Sequence, residues 1–337
     1  MQPAMVTLVT GAAGFIGSET CRALLARGDD VVGIDNLNDY YDPQLKRDRI
    51  ARLERDFTDG FTFETLDFAD ADALADLAAR HAIGKIVHLG AQPGVRYSIV
   101  NPAAYVRSNL VGHCNMLDLA RQIETAHFVY ASSSSVYGGN KTLPFRVEDR
   151  VDHPLNLYAA TKKADELLSE SYASLFRIPA TGLRFFTVYG PWGRPDMAMY
   201  IFTKALFEGR PLPLFNGGEM RRDFTFIDDI IGGVVAAIDR PPADDGAEKA
   251  GGSLAPHAIY NIGNSRSEDL GRVVALLEQA TGRIATLDPL PMQPGEVAET
   301  FADVSAIERD LGFKPSTTID EGIPRFVTWF RDYHKVD

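Results

Sequence analysis

Short apolar runs and amphipathic stretches follow one another along this chain. Residues 6–9 (Val-Thr-Leu-Val) form the first run, and residues 18–26 the first stretch with apolar positions at helical spacing. Further runs at 30–34, 61–66, 85–89 and 128–130 predict strands, with helices over 70–81 and 102–124 between them. Strands alternating with helices predict an α/β protein built on a doubly wound parallel sheet. Ligands of such sheets sit beyond the carboxyl ends of the strands, where Asp35, Asp67, Gln92 and a serine cluster fall. Later in the chain, helices are predicted over 156–177, 202–209, 303–311 and 319–333, with an edge segment at 211–215 and a strand at 259–262. The polar, Gly/Pro-rich residues 241–256 read as an exposed loop, and no internal repeat is present.

A length of 337 residues suits one large α/β unit with a smaller lobe. We expect residues 1–187 to form the nucleotide-binding unit, with 225–262 returning to it. Residues 188–224 and 263–337 then make the smaller mixed α/β lobe. A net charge of -12 argues against a nucleic-acid partner, because phosphate backbones need a basic footprint. An anionic small molecule remains compatible, since it needs only a local basic pocket. The two cysteines, Cys21 and Cys114, fall in predicted helices and read as free thiols of a reducing, cytoplasmic setting. The first residues lead straight into the first strand with no charged leader or long apolar run, so no signal peptide or membrane span is expected.

Candidate chemistry begins after the first strand. Gly11, Gly14 and Gly17 stand at Gly-x-x-Gly-x-x-Gly spacing, with Phe15 and Ile16 opening the helix. Such a turn lets backbone approach a pyrophosphate and offers it the helix's free N–H groups and positive dipole. The next strand ends at Asp35, 18 residues past Gly17, close to the about 20 expected of an acid that binds an adenosine ribose diol. A carboxylate there repels a 2′-phosphate, which favours NAD over NADP.

Tyr158 and Lys162 stand four apart, on one face of a helix. An ammonium beside a phenol favours the phenolate, making Tyr158 a candidate acid/base for a hydroxyl or carbonyl. Upstream, Ser132, Ser133, Ser134 and Ser135 end a strand and lead into Val136-Tyr137-Gly138. The glycine turn, Asp35, the serine end and Tyr-x-x-x-Lys, in that order, resemble the extended short-chain dehydrogenase/reductase family and its nucleotide-sugar branch over nearly the whole chain. The resemblance implies Ser133, Tyr158 and Lys162 as the catalytic set and a Rossmann-type domain holding NAD. It also implies cofactor contacts from Asn36, Asn38, Asp67, Phe68, Ala91, Gln92 and Asn109. No metal is called for, and a homodimer through the 102–124 and 156–177 helices is implied.

The branch is narrowed by absent acids. Dehydratases of the family carry acids in the serine segment, and decarboxylating relatives a Glu before the Val; here those positions are Ser134 and Ser135, which cannot remove a carbon-bound proton. Redox without elimination suits a 4-epimerase. Residues 182–198, 35–42 and 94–98 resemble UDP-glucuronate 4-epimerases, with Thr187 where neutral-sugar epimerases usually have Asn. A UDP-hexuronate is therefore the expected substrate, its carboxylate held by Ser134, Ser135 and Thr187. Arg194 is either a bidentate partner of that carboxylate or a loop residue paired with Asp196, and Arg96 either reaches the sugar or orders its loop. Arg222 matches the family's diphosphate arginine, and Gln293 and Glu296 take the places of an arginine and a ribose-binding acid. Alternatives are a neutral UDP-hexose 4-epimerase, a UDP-glucuronate decarboxylase and a non-catalytic NAD-sensing protein; an intact Ser133, Tyr158 and Lys162 argue against the last.

Overall fold

The computed structural model describes residues 5–292, 295 and 297–337. Seven parallel strands form the central sheet: β1 (Val6–Thr10), β2 (Val31–Asp35), β3 (Phe61–Thr65), β4 (Ile83–His88), β5 (His127–Ser133), β6 (Ala180–Phe185) and β7 (His257–Ile262). Their spatial order is β7-β6-β5-β4-β1-β2-β3, so the winding reverses between β1 and β4. That reversal opens a crevice at the carboxyl ends of the two strands, the usual ligand position of this architecture. Both faces of the sheet are covered. One apolar layer gathers Leu8, Val32, Ile86, Phe128, Leu77 and Met116, and the other gathers Val9, Val87, Val129, Leu183, Leu24 and Ile230. Burial on both faces is why the inner strands read as apolar runs, whereas the edge strand β3 (Phe-Thr-Phe-Glu-Thr) is partly exposed.

Of the helices that flank the sheet, five precede β6, and three of these start where a short polar side chain satisfies a free N–H group. The five are α1 (Phe15–Ala26), α2 (Pro43–Asp56), α3 (Ala71–Arg80), α4 (His113–Gln122) and α5 (Leu157–Phe176). Asp42, Asp70 and Asn156 cap α2, α3 and α5 by accepting from Gln44, Ala73 and Ala159 N–H respectively. The single helix expected over 102–124 is divided. A turn at Pro102–Tyr105 leads into a π-helix at Val106–Gly112, and only then does α4 begin. The wider π turn carries the buried Asn109 amide, which bonds to the Gln92 backbone and to Thr161 on α5.

Beyond β6 come α6 (Ala198–Glu208), α7 (Ile227–Asp239), α8 (Leu270–Thr281), α9 (Ser305–Leu311) and α10 (Ile319–His334). Three two-stranded pairings accompany them: Thr187–Tyr189 with Phe224–Phe226, Arg221–Arg222 with Glu268–Asp269, and Leu212–Phe215 with Leu287–Leu290. The edge segment at 211–215 is thus paired, through a partner whose sequence Leu-Asp-Pro-Leu carries no strand periodicity. Residues 241–256 hold no helix or strand and are mostly exposed. Among the described residues, no helix is long and apolar enough to cross a membrane, and both cysteines are free.

Several histidines are sealed between sheet and helices. His127 Nδ1 lies 3.3 Å from the Ile238 carbonyl and Nε2 2.9 Å from Thr181 Oγ1, so the ring donates to the carbonyl and accepts from the hydroxyl. Burial pushes this imidazole down to about 4, with the carbonyl bond pulling the other way. A folded-state value below the ordinary 6.5 stabilises the fold above pH 6.5, and that stabilisation is lost as pH falls toward 4. The stability advantage of the parent over a non-titrating His127→Asn variant should therefore shrink by about 1.4 kcal/mol per pH unit between pH 6 and 5. Guanidinium denaturation of both proteins across that window measures it; a constant difference would contradict the buried neutral ring.

Candidate active site

The glycine turn between β1 and α1 is built by contact with its own backbone. Gly11 has φ of +69°, and a Cβ there would lie 2.8 Å from Gly90 Cα. A Cβ on Gly17 would lie 2.0 Å from the Gly11 carbonyl oxygen, so the first turn of α1 folds tightly over the loop. No side chain caps α1 and no acid occupies its first turn, which leaves its N–H groups and dipole directed at the crevice. The donor set and the absence of side-chain bulk suit a dinucleotide's pyrophosphate. Asp35 closes β2 nearby, accepting from Leu37 N–H at 2.8 Å. Burial pushes its carboxyl up, while Lys46 and hydrogen bonds from Leu37 and Ala13 pull it down.

A cavity of about 900 Å³ runs from this turn across the carboxyl ends of the strands to Pro213, Phe215 and Leu270. Gly11, Gly14, Phe15, Ile16, Gly17, Asp35, Asn36, Asn38, Phe68 and Ala91 line one end. Ser133, Ser134, Ser135, Tyr158, Lys162, Thr187, Arg96, Arg194 and Arg222 line the rest. Asp67, Gln92 and Asn109 are not among the lining residues. Asp67 accepts from Ala69 N–H and from Arg107 at the rim. Gln92 and Asn109 bond to one another behind the wall, where Asn109 also reaches Thr161 and so ties the β4 loop to α5. Gln293 and Glu296 lie outside the described residues.

Asn156 fixes the start of α5, and Tyr158 follows it on the cavity side, its ring edge-on to that of buried Tyr105 with centroids 6.1 Å apart. Tyr105 in turn donates to the Pro93 and Gly94 carbonyls, which holds the 93–94 loop beside the phenol. One turn on, Lys162 Nζ donates to the Ala131 carbonyl at 2.9 Å and to Asp165 at 3.0 Å. The serine strand ends in a 3-10 turn at Ser134–Tyr137, where Ser133 Oγ accepts from Ser135 N–H and donates to Ser135 Oγ, both at 3.2 Å. The serine strand and α5 are locked together by Glu166. Its carboxylate takes Ser132 Oγ at 2.7 Å and Arg184 of β6 through Nε at 2.8 Å and a second guanidinium nitrogen at 3.0 Å. Burial favours the neutral acid, but Arg184, Lys163 and Ser132 together hold Glu166 below its ordinary value.

On the acceptor side, Arg194 is paired with Asp196, through Nε at 3.0 Å and a second contact at 2.5 Å, and Tyr40 donates to the same carboxylate at 3.0 Å. The arginine is thus an element of the cavity wall shared between the 36–41 and 192–196 loops. Arg96 lies over the Phe215 ring at 4.3 Å, and an Arg222 nitrogen donates to the Arg221 and Ala298 carbonyls. Lys46, which sequence reasoning did not single out, is buried at the wall and donates to Asn38 twice, at 2.8 and 2.9 Å. Nothing in its spacing from Asp35 marks it; only the packing of α2 against α1 and β3 brings it in. Among the described lining residues, five cationic side chains (Lys46, Arg96, Lys162, Arg194, Arg222) face two carboxylates, Asp35 and Asp196. In a chain of net charge -12 this is a local positive site, suited to an anionic ligand.

Residues 7–263 match the model of the NAD dependent epimerase/dehydratase family. The chain belongs to that family. Within it, the chain is 46% identical over 329 residues to a probable UDP-glucuronate 4-epimerase of Rhizobium meliloti (strain 1021), covering 96% of each protein. It is 44% identical over 336 residues to Protein CapI of Staphylococcus aureus, covering 98% of this chain and all of that protein. Among solved structures, a UDP-glucuronic acid 4-epimerase from Bacillus cereus in complex with UDP-glucuronic acid and NAD is 34% identical. Its TM-score is 0.86, with 98% of this chain and 100% of that chain covered. The glycine turn, the serine strand end and the Tyr-x-x-x-Lys helix meet around one cavity.

Removing Glu166 would leave the Arg184 guanidinium buried without an anion. Glu166→Ala should cost about 3–5 kcal/mol of unfolding free energy, whereas a Glu166→Met/Arg184→Met pair should cost much less. Denaturant titration of the parent and both variants checks this; equal losses would mean that packing, not charge, holds the helix.

Proposed function

We propose that this protein is a UDP-glucuronate 4-epimerase that interconverts UDP-glucuronate and UDP-galacturonate with bound NAD. The observation that carries the reading is a cavity with Tyr158 and Lys162 on one side and hydroxyls, not acids, at the serine strand end and at Thr187. The glycine turn, Asp35, Asn36 and Asn38 would hold the dinucleotide. NAD, when bound, accepts a hydride from carbon 4 and later gives it back. Tyr158 takes the carbon-4 hydroxyl proton as the hydride leaves, and Ser133 hydrogen-bonds the same oxygen. Lys162 stabilises the phenolate electrostatically. The flat 4-ketone turns over in the site, and Tyr158 returns the proton after hydride arrives on the other face. With Ser134 and Ser135 in place of acids, nothing there expels water from the ketone.

Oxidation of a glucuronate at carbon 4 creates a β-keto acid, which loses carbon dioxide when the carboxyl bond stands perpendicular to the ketone plane. Donors at Ser134, Ser135 and Thr187 suppress this by fixing the carboxylate away from that geometry. Arg194 contributes positive charge nearby, partly offset by Asp196. Arg222 faces the diphosphate, and Arg96 orders the loop above the sugar. The names of the relatives and the net positive cavity support a hexuronate over a neutral hexose.

Purified protein should convert UDP-glucuronate to UDP-galacturonate without added NAD, followed by NMR. UDP-galactose from UDP-glucose, with UDP-glucuronate unused, would move the assignment to a neutral-sugar epimerase, and UDP-xylose as sole product to a decarboxylase. Tyr158→Phe should lower turnover by about 10²–10⁴-fold with NAD retained. Thr187→Ala and Ser135→Ala should release more UDP-pentose per turnover than the parent.

A cytoplasmic homodimer is part of the same reading. Ile99, Val100, Val106, Leu167 and Leu175 are large apolar side chains between 45% and 79% exposed, on the 97–112 segment and on α5. Those segments lie side by side, and a second copy of the chain would cover them. Leu167→Glu should convert a dimer to a monomer in analytical ultracentrifugation; a monomeric parent would refute the pairing.

A further inference from the structure

Asp165 follows Lys162 by three residues on α5, so Tyr158, Lys162 and Asp165 share one helix face. The Lys162 and Asp165 side chains are 3% and 1% exposed, and their charged atoms lie 3.0 Å apart. One carboxylate oxygen is used on the ammonium, and the other, Oδ1, is buried with no hydrogen-bond partner among the described residues. A half-satisfied carboxylate in a dry interior is costly by itself. Its compensation is Lys162, whose other bond among the described residues is to the neutral Ala131 carbonyl.

The remaining groups around the pair supply no countercharge. On α5, Glu166 is committed to Arg184, Lys163 is bonded to Glu166, and Tyr158 faces the cavity. His88 on β4 and His113 on α4 are both driven toward the neutral ring by burial, with Lys162 adding to the effect. Cys114 on α4 and Tyr130 on β5 are driven toward their neutral forms by burial, with Asp165 adding to it. Burial pushes Asp165 itself up to about 6 against the pull of Lys162, so it is ionised from neutral pH upward.

We infer that Asp165 is a positioning residue that acts through Lys162, keeping the ammonium charged and fixed in a dry site so that it can serve Tyr158. The inference rests on the epimerase reading above. Without Asp165, the buried ammonium has only the Ala131 carbonyl to hold it.

In Asp165→Asn, which keeps shape and an acceptor oxygen, the alkaline limb of the kcat/KM–pH profile should move down by at least one pH unit. Rates near pH 6.5 should stay within a few-fold of the parent. An unchanged limb, or a loss equal at every pH, would overturn the inference. A stability cycle tests the pair without catalysis. Asp165→Asn should lower the melting temperature in the parent and leave it unchanged or raise it in a Lys162→Met background; an equal drop in both would overturn it. If the parent failed to epimerise UDP-glucuronate, the functional reading would fall while the cycle still decided the pair.

Discussion

One buried ion pair joins the parts on which the site depends. Glu166 sits on the same helix as Tyr158 and Lys162, Arg184 lies on β6, and Ser132 precedes Ser133 on β5. The bidentate geometry fixes both the distance and the rotation of α5 relative to the sheet. If α5 rolled by one residue, Tyr158 would swing about 100° away from the serine end. Arg184 also donates to Tyr137 and to the Val147 carbonyl, which extends the same constraint to the turn behind the serines.

A second constraint is electrostatic. The surface is acidic overall, yet the cavity wall is cationic, and each buried charge in it has a defined partner: Lys46 on Asn38, Lys162 on Asp165, Arg194 on Asp196. Pairing lets charges persist in a low-dielectric wall where an isolated ion would neutralise. The wall can therefore present positive charge to an anionic nucleotide sugar.

Arg49 gives the glycine turn a comparable support. It is fully buried, and its guanidinium donates to the Ala13 carbonyl, to the Tyr41 hydroxyl and to the Trp192 and Gly193 carbonyls. One side chain thus joins the phosphate turn, α2 and the loop that carries Arg194 and Asp196. Its partners are carbonyls and a hydroxyl, not a carboxylate, so the link is made by direction and number of hydrogen bonds.

Much of this was legible in the residues themselves, because its signals are local. Apolar runs sealed on both faces read directly as parallel strands, the glycine spacing followed from backbone sterics, and Tyr158 with Lys162 followed from helical periodicity. Serines in place of acids told which chemistry the site lacks without any coordinates. Tertiary structure alone decided what depends on distant partners. It tied Arg194 to Asp196, brought Lys46 to the wall, set Asn109 and Gln92 behind it, and broke the 102–124 helix with a π turn. It paired Leu212–Phe215 with a segment that has no strand pattern of its own. Asp165 lies between the two: its spacing from Lys162 is visible in the sequence, but the dryness that gives their contact its force comes from the packing of α4, β4 and β5 around them.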